Sequence, residues 1–192
     1  MYRPLLLLTI AALLCSFASA APITYVAGLS GANENPVNAS PATGFALVII
    51  DTTAHTLVID VVFADLTAPN TAAHIHCCVA PPGNAVVATP TPTFPGFPTG
   101  TTSGVYFNTL DLTMDSSFRA GFITSSGGTA AAAEAVLAAG LAAGQAYFNI
   151  HTSTYPGGEI RGFLEPVPEP ATWLLTAAPL LALGLLRRRA RR

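Results

Sequence analysis

Short runs in which apolar residues alternate with other residues recur along the middle of the chain. In residues 56–65, Leu57, Ile59, Val61 and Phe63 occupy every second position, so one side of an extended strand would be continuously apolar. Clusters of Gly, Pro, Asn and Thr separate such runs, which is typical of an antiparallel β domain. The pattern predicts strands over residues 23–29, 43–51, 56–65, 72–79, 104–113, 145–152 and 159–164.

Two segments depart from this pattern. Residues 129–141 are rich in alanine and predict the one helix of the domain. Residues 80–102 are rich in Pro, Thr and Gly and too long for a hairpin loop, so we expect them to lie over the sheet. The expected fold is mainly β: an antiparallel Greek-key-like sandwich or barrel with one short helix, formed by residues 21–166.

The charge of this central part is strongly negative. Residues 21–166 contain two arginines, no lysine and nine acidic residues, which gives a net charge of −7. Such a domain repels phosphate backbones, so we expect no nucleic-acid partner.

The N-terminal 20 residues read as a signal peptide. An apolar run follows Arg3, and Ala18-Ser19-Ala20 has small residues at the two positions that signal peptidase requires. We expect cleavage after Ala20 and export across the cytoplasmic membrane.

The C-terminal segment, residues 167–192, has three parts in order. Pro168-Glu169-Pro170 precedes an apolar stretch over 171–186, which predicts a short hydrophobic helix, and the end is basic, with Arg187, Arg188 and Arg189 first. This ending resembles the PEP-CTERM sorting signal. The resemblance implies a membrane anchor that an exosortase-type membrane protease recognises, followed by transfer to the cell surface or release.

Three histidines are candidate metal ligands. His74 and His76 lie two apart on a predicted strand, so their side chains share a face, and His151 lies on a later strand. Imidazole suits copper and zinc. We place first a structural network, in which these rings hydrogen-bond across strands and hold loops without a metal, and metal binding second.

Cys77 and Cys78 are adjacent, and both would meet an oxidising compartment after export. We place a local disulfide first. A thiolate pair that contributes to a metal site and bonds to another chain are the alternatives.

Arg161 is one of only two arginines in residues 21–166. We expect it to form a buried or half-buried ion pair with Glu34. An arginine that binds an anion is the alternative.

Three motifs together resemble the CHRD domain: Gly31-Ala32-Asn33-Glu34-Asn35-Pro36, the central Ala73-His74-Ile75-His76, and Asn149-Ile150-His151-Thr152 with Pro156-Gly157-Gly158-Glu159-Ile160-Arg161-Gly162. The resemblance spans about residues 23–164 and implies a secreted module with a sandwich-like fold. The His-x-His strand also looks like the copper-binding strand of copper-zinc superoxide dismutases, although no loop that could build the zinc half of such a site is present.

These observations favour an exported binding module of the cell surface or matrix, which binds surface polysaccharide or protein and is not an enzyme. An envelope protein that binds copper or zinc, with a redox role, is the first alternative. A hydrolase acting on surface polymers is the second. Polymer binding would use exposed aromatic side chains, for which the candidates are Tyr106, Phe94, Phe97 and Tyr155.

Overall fold

The computed structural model describes residues 21–168, and these residues form one sheet with two short helices. The strands are β1 (Ile23–Ser30), β2 (Thr43–Asp51), β3 (Thr56–Ala64), β4 (Asn70–Cys77), β5 (Val86–Val87), β6 (Gly104–Asp111), β7 (Ala146–Thr152), β8 (Ile160–Phe163) and β9 (Glu165–Pro166). The helices are α1 (Ala120–Ser126) and α2 (Ala130–Ala142). The prediction of a mainly β fold is confirmed.

All strand pairs are antiparallel, and the order across the sheet is β5-β4-β7-β8-β1-β2-β3-β6, with β9 beside β1. A single residue pair, Ser30 with Arg161, joins β8 to β1. The sheet curls into a half-barrel around the buried apolar core, which is a sandwich-like arrangement.

Alternation along the strands decides which side chains enter this core. Leu57, Ile59, Val61 and Phe63 of β3 are all buried, as the sequence pattern predicts. On β4 and β7 the core side carries Ile75, Cys77, Phe148 and Ile150. The opposite side of β4 and β7 is consequently free for polar residues.

The expectation of a single helix is wrong. The predicted helix is present as α2, and α1 precedes it and packs against it. Seven residues are too few for the 3.6-residue period to become visible in a sequence. Helix α1 is held by its buried residues Phe122 and Ile123, which pack in the core.

Residues 80–102 follow the exposed edge of β4 and then enter the core. Val86–Val87 pairs with β4, and Ile75 donates its N–H to the Thr89 side chain at 2.9 Å. Phe94 is completely buried and stacks on Phe148 with ring centroids 5.7 Å apart. The long loop is thus held against β4 by these contacts.

The predicted signal peptide, the residues of the sorting signal from Glu169 onwards and the C-terminal hydrophobic segment lie outside the described residues. Among residues 21–168, no helix is long and apolar enough to cross a membrane.

Candidate metal centre

The three candidate histidines lie on one face of neighbouring strands. In the register of β4 and β7, His74 is opposite Asn149, His76 is opposite Tyr147 and His151 is opposite Ala72. Side chains alternate between faces, so these rings point away from the apolar core side. Ring centroids are 5.9 Å apart for His74 and His76, 5.3 Å for His74 and His151, and 5.7 Å for His76 and His151.

Each ring uses one nitrogen in a hydrogen bond to a backbone carbonyl. His74 Nε2 donates to Pro92 at 2.8 Å, His76 Nδ1 donates to Ala85 at 2.9 Å, and His151 Nδ1 donates to Pro156 at 3.0 Å. A carbonyl oxygen can only accept, so these contacts place the single proton of each neutral ring. The other nitrogen of each ring is therefore left with a free lone pair.

The three free nitrogens are His74 Nδ1, His76 Nε2 and His151 Nε2. All are buried without a hydrogen-bond partner, and the candidate ligand atoms of the three residues lie within 4.8 Å of one another. Nitrogens bound to one ion at about 2.0–2.1 Å in a tetrahedral site lie roughly 3.4 Å apart. Small ring movements would therefore bring all three onto one ion.

Burial favours the neutral form of these rings. Together with the neighbouring histidines, it lowers the pKa of His74 and of His76 to about 4. Burial also lowers the pKa of His151. Neutral imidazole is the form that binds a metal, so the rings are ready to bind at neutral pH.

Arg161 fixes the loops that cover this face. Its guanidinium donates to the carbonyl oxygens of Asn33 at 2.6 Å and Pro82 at 2.9 Å, and to the side chain of Asn84 at 2.7 Å. It also lies 4.7 Å from the ring centre of Tyr147, which stacks on His76. Arg161 and His76 thus pack on the same tyrosine.

Glu34, the partner that we expected for Arg161, lies beside it. Its Oε2 is 3.8 Å from Arg161 Nε, and both side chains are buried. Burial raises the pKa of Glu34 to about 7, although Arg161 and the backbone N–H of Asn35 act in the opposite direction. The contact is long for an ion pair because the guanidinium is oriented by three closer acceptors.

A comparison with protein families identifies the domain. The family model of the CHRD domain matches residues 25–164. The chain belongs to the CHRD domain family. No curated protein and no solved structure matches it.

The cysteines of this CHRD domain form a disulfide with each other at the end of β4. Helix α2 passes directly over it at Gly140, where a Cβ atom would overlap the sulfur atoms of both Cys77 and Cys78. Cys77 faces the core, on the side of β4 opposite His76. The disulfide is therefore part of the packing of α2 and is separate from the histidine cluster.

Sequence reasoning missed the role of Glu159 in the CHRD domain. This side chain is fully buried and accepts hydrogen bonds from Ser40 Oγ at 2.6 Å, Thr152 Oγ1 at 2.6 Å and the Thr67 N–H at 2.7 Å. Burial raises its pKa, but these bonds outweigh burial and hold the pKa below its ordinary value. Its partners lie far apart in sequence, so no local signal could have identified them.

The contact of His55 with Glu134 was also missed. His55 lies in the turn between β2 and β3, and its Nδ1 is 2.8 Å from Oε2 of the buried Glu134 on α2. This contact ties a surface turn to the helix and is separate from the three clustered histidines.

Three of the four aromatic residues named as candidates for polymer binding are buried in the CHRD domain. Phe94 is 0 % exposed, and Phe97 and Tyr106 are each 5 % exposed, because the proline-rich loop folds into the core. That expectation is wrong for these three, and only Tyr155 is half-buried. Within residues 21–168, the exposed aromatic side chains are Phe45 and Phe107, on the outer face of β2 and β6.

Proposed function

We propose that this CHRD domain binds one copper or zinc ion through His74 Nδ1, His76 Nε2 and His151 Nε2. One observation carries the proposal: each ring has its N–H engaged by a backbone carbonyl while its remaining nitrogen is buried, unpartnered and directed to a shared volume. Buried polar atoms nearly always have a partner. Three buried nitrogens without a partner at one place indicate a ligand that all three bind.

The second interaction of each ring supports the same conclusion. Histidines that bind metals commonly donate their other N–H to a carbonyl or carboxylate, which fixes the tautomer and the ring orientation. All three rings do so here. A purely structural histidine network would instead use both nitrogens, which these rings do not.

Three nitrogen ligands leave room for a fourth, exchangeable ligand. Bound zinc would lower the pKa of a water molecule, and bound copper would accept or donate one electron. The protein supplies neutral ligands, a covered face and fixed ring orientations. The redox role of the copper form belongs to this proposal.

The test is the metal content of the protein recovered from the periplasm. We expect stoichiometric copper or zinc in the wild type and none in the triple variant His74→Ala, His76→Ala, His151→Ala. His55→Ala is the matched control, since His55 lies outside the cluster, and it should keep the metal. A wild-type protein that stays empty after incubation with either ion would disprove the proposal.

Export and sorting form a separate part of the proposed function. The signal peptide and the Pro168-Glu169-Pro170 ending support delivery to the cell surface or matrix through an exosortase-type protease. Changing Pro168, Glu169 and Pro170 together to alanine should leave the protein in the membrane fraction. Equal release of the variant and the wild type would disprove this route.

A role in binding surface polysaccharide or protein is the second candidate. Exposed Phe45 and Phe107 support it, because exposed aromatic side chains are common anchors at binding surfaces.

A further inference from the structure

Five buried side-chain atoms have no hydrogen-bond partner within residues 21–168. Three are the free histidine nitrogens, and the other two are Asn149 Oδ1 and Glu34 Oε1. Asn149 lies opposite His74 and two residues before His151 on the same face of the sheet. Side chains directly opposite on antiparallel strands have Cβ atoms about 5 Å apart. Four of the five unpartnered atoms, those of the three histidines and of Asn149, therefore belong to neighbouring positions on β4 and β7.

The fifth atom lies close to the fourth. Asn149 Oδ1 and Glu34 Oε1 are each 2.7 Å from the point that a Cβ atom of Gly158 would occupy. Gly158 has φ of +135°, a conformation that favours glycine, so this point carries no side chain. Both unpartnered oxygens thus border the same small volume, together with the Nδ2 group of Asn149, which is 2.6 Å from the same point.

Neighbouring groups do not satisfy these two oxygens. The carboxylate of Glu34 turns its other oxygen, Oε2, towards Arg161. The closest acceptors of the guanidinium are Asn33, Pro82 and Asn84. A ligand that donates two hydrogen bonds would therefore satisfy both Asn149 Oδ1 and Glu34 Oε1 when Glu34 is ionised.

We propose that Asn149 and Glu34 accept the two hydrogen bonds of a water molecule bound to the ion at the histidine site. This inference rests on the proposed metal binding and assigns the fourth ligand position. A metal-bound water has two O–H donors and the site has two unpartnered oxygen acceptors. Asn149 and Glu34 are positioning residues for that water, and the three imidazoles are the protein ligands.

The test uses the copper-loaded full chain and the variant Asn149→Leu, which has a similar size but no acceptor. Electron paramagnetic resonance spectra recorded against pH report the conversion of bound water to hydroxide. Water donates two hydrogen bonds and hydroxide one, so the loss of an acceptor destabilises the water form more. We expect the transition to fall by about one pH unit in Asn149→Leu. The control Asn108→Leu makes the same change on β6, where it removes hydrogen bonds to Pro95 and Tyr106, and should keep the wild-type transition pH.

A second measurement needs no metal. If Asn149 Oδ1 lacks a partner in the metal-free protein, Asn149→Leu should unfold at the same or a higher denaturant concentration than wild type. The stabilisation that copper gives should be smaller in the variant. A variant less stable than wild type without metal, or a transition at the wild-type pH, would overturn the inference. A wild type that binds no copper would instead disprove the proposed function.

Discussion

At the scale of single residues, two buried glutamates differ in the pKa of their carboxyl groups. Glu159 stays ionised in the interior because three donors reach it, whereas Glu34 has too few close donors and its pKa is raised to about 7. Both carboxylates are buried. The number of hydrogen bonds, rather than burial alone, decides whether the pKa of a buried carboxyl group lies below or above its ordinary value.

Gly140 gives a prediction at this scale. A methyl group there would overlap both sulfur atoms of the disulfide, and α2 would have to move away from β4. Although alanine is the better helix former, we expect Gly140→Ala to lower the free energy of unfolding by about 1–3 kcal/mol because of overpacking.

Denaturant unfolding checks this prediction. Gly121→Ala on α1 would serve as the control, since it adds the same methyl group to a helix where the nearest atom, Arg119 Nε, is 4.0 Å away. An unchanged or increased stability of Gly140→Ala would show that α2 does not press on the disulfide.

At the scale of elements, the proline-rich segment of residues 80–102 is the part on which the site depends most. It supplies the carbonyl acceptors for His74 and His76 through Pro92 and Ala85. Its own position is fixed by Phe94, whose ring lies in the core. The orientation of the His74 and His76 rings therefore depends on the packing of Phe94, because both involve residues 80–102.

Phe94→Ala tests this connection. Loss of a buried phenylalanine typically costs about 3–5 kcal/mol, and we expect a comparable loss of unfolding free energy here. Copper or zinc affinity should fall as well, measured by competition with a chelator, because the loop would no longer hold Pro92 beside His74.

Phe107→Ala is the matched control, because Phe107 is 71 % exposed. It should change neither the stability nor the affinity. Metal affinity of Phe94→Ala equal to that of wild type would show that the loop does not orient the rings.

At the scale of the whole molecule, the buried titratable groups make stability depend on pH. In the metal-free protein the pKa values of His74 and His76 are about 4 when folded, against an ordinary 6.5. Between these values the unfolded state binds more protons, so stability is present above pH 6.5 and is lost as pH falls towards 4. The raised pKa of Glu34 has the opposite effect: between about pH 4.5 and 7 the folded state binds more protons, so stability falls as pH rises.

Two histidines outweigh one glutamate in the shared range, so we expect stability of the metal-free protein to rise from pH 4 and to be greatest near pH 6.5. Thermal unfolding against pH checks this profile. Replacing His74 and His76 with Gln should flatten the rise below pH 6.5, and an unchanged slope would contradict the assigned burial effect.

The sequence by itself determined the strands and most of the domain. The two-residue period predicts β1, β2, β3, β4, β6, β7 and β8 to within a few residues, because local alternation is enough to define a half-buried strand. It also placed His74 and His76 on a common face. Helix α1 was missed because seven residues show no clear helical period.

Only the tertiary structure decided which residues meet. His151 reaches His74 because β7 pairs with β4 in one particular register. Asn149 lies between His74 and Arg161 because β7 also pairs with β8 on its other side. Phe94 and Phe97 became core residues because their loop folds inward. These outcomes depend on contacts between residues distant in sequence, and no local pattern encodes strand register or the path of a long loop.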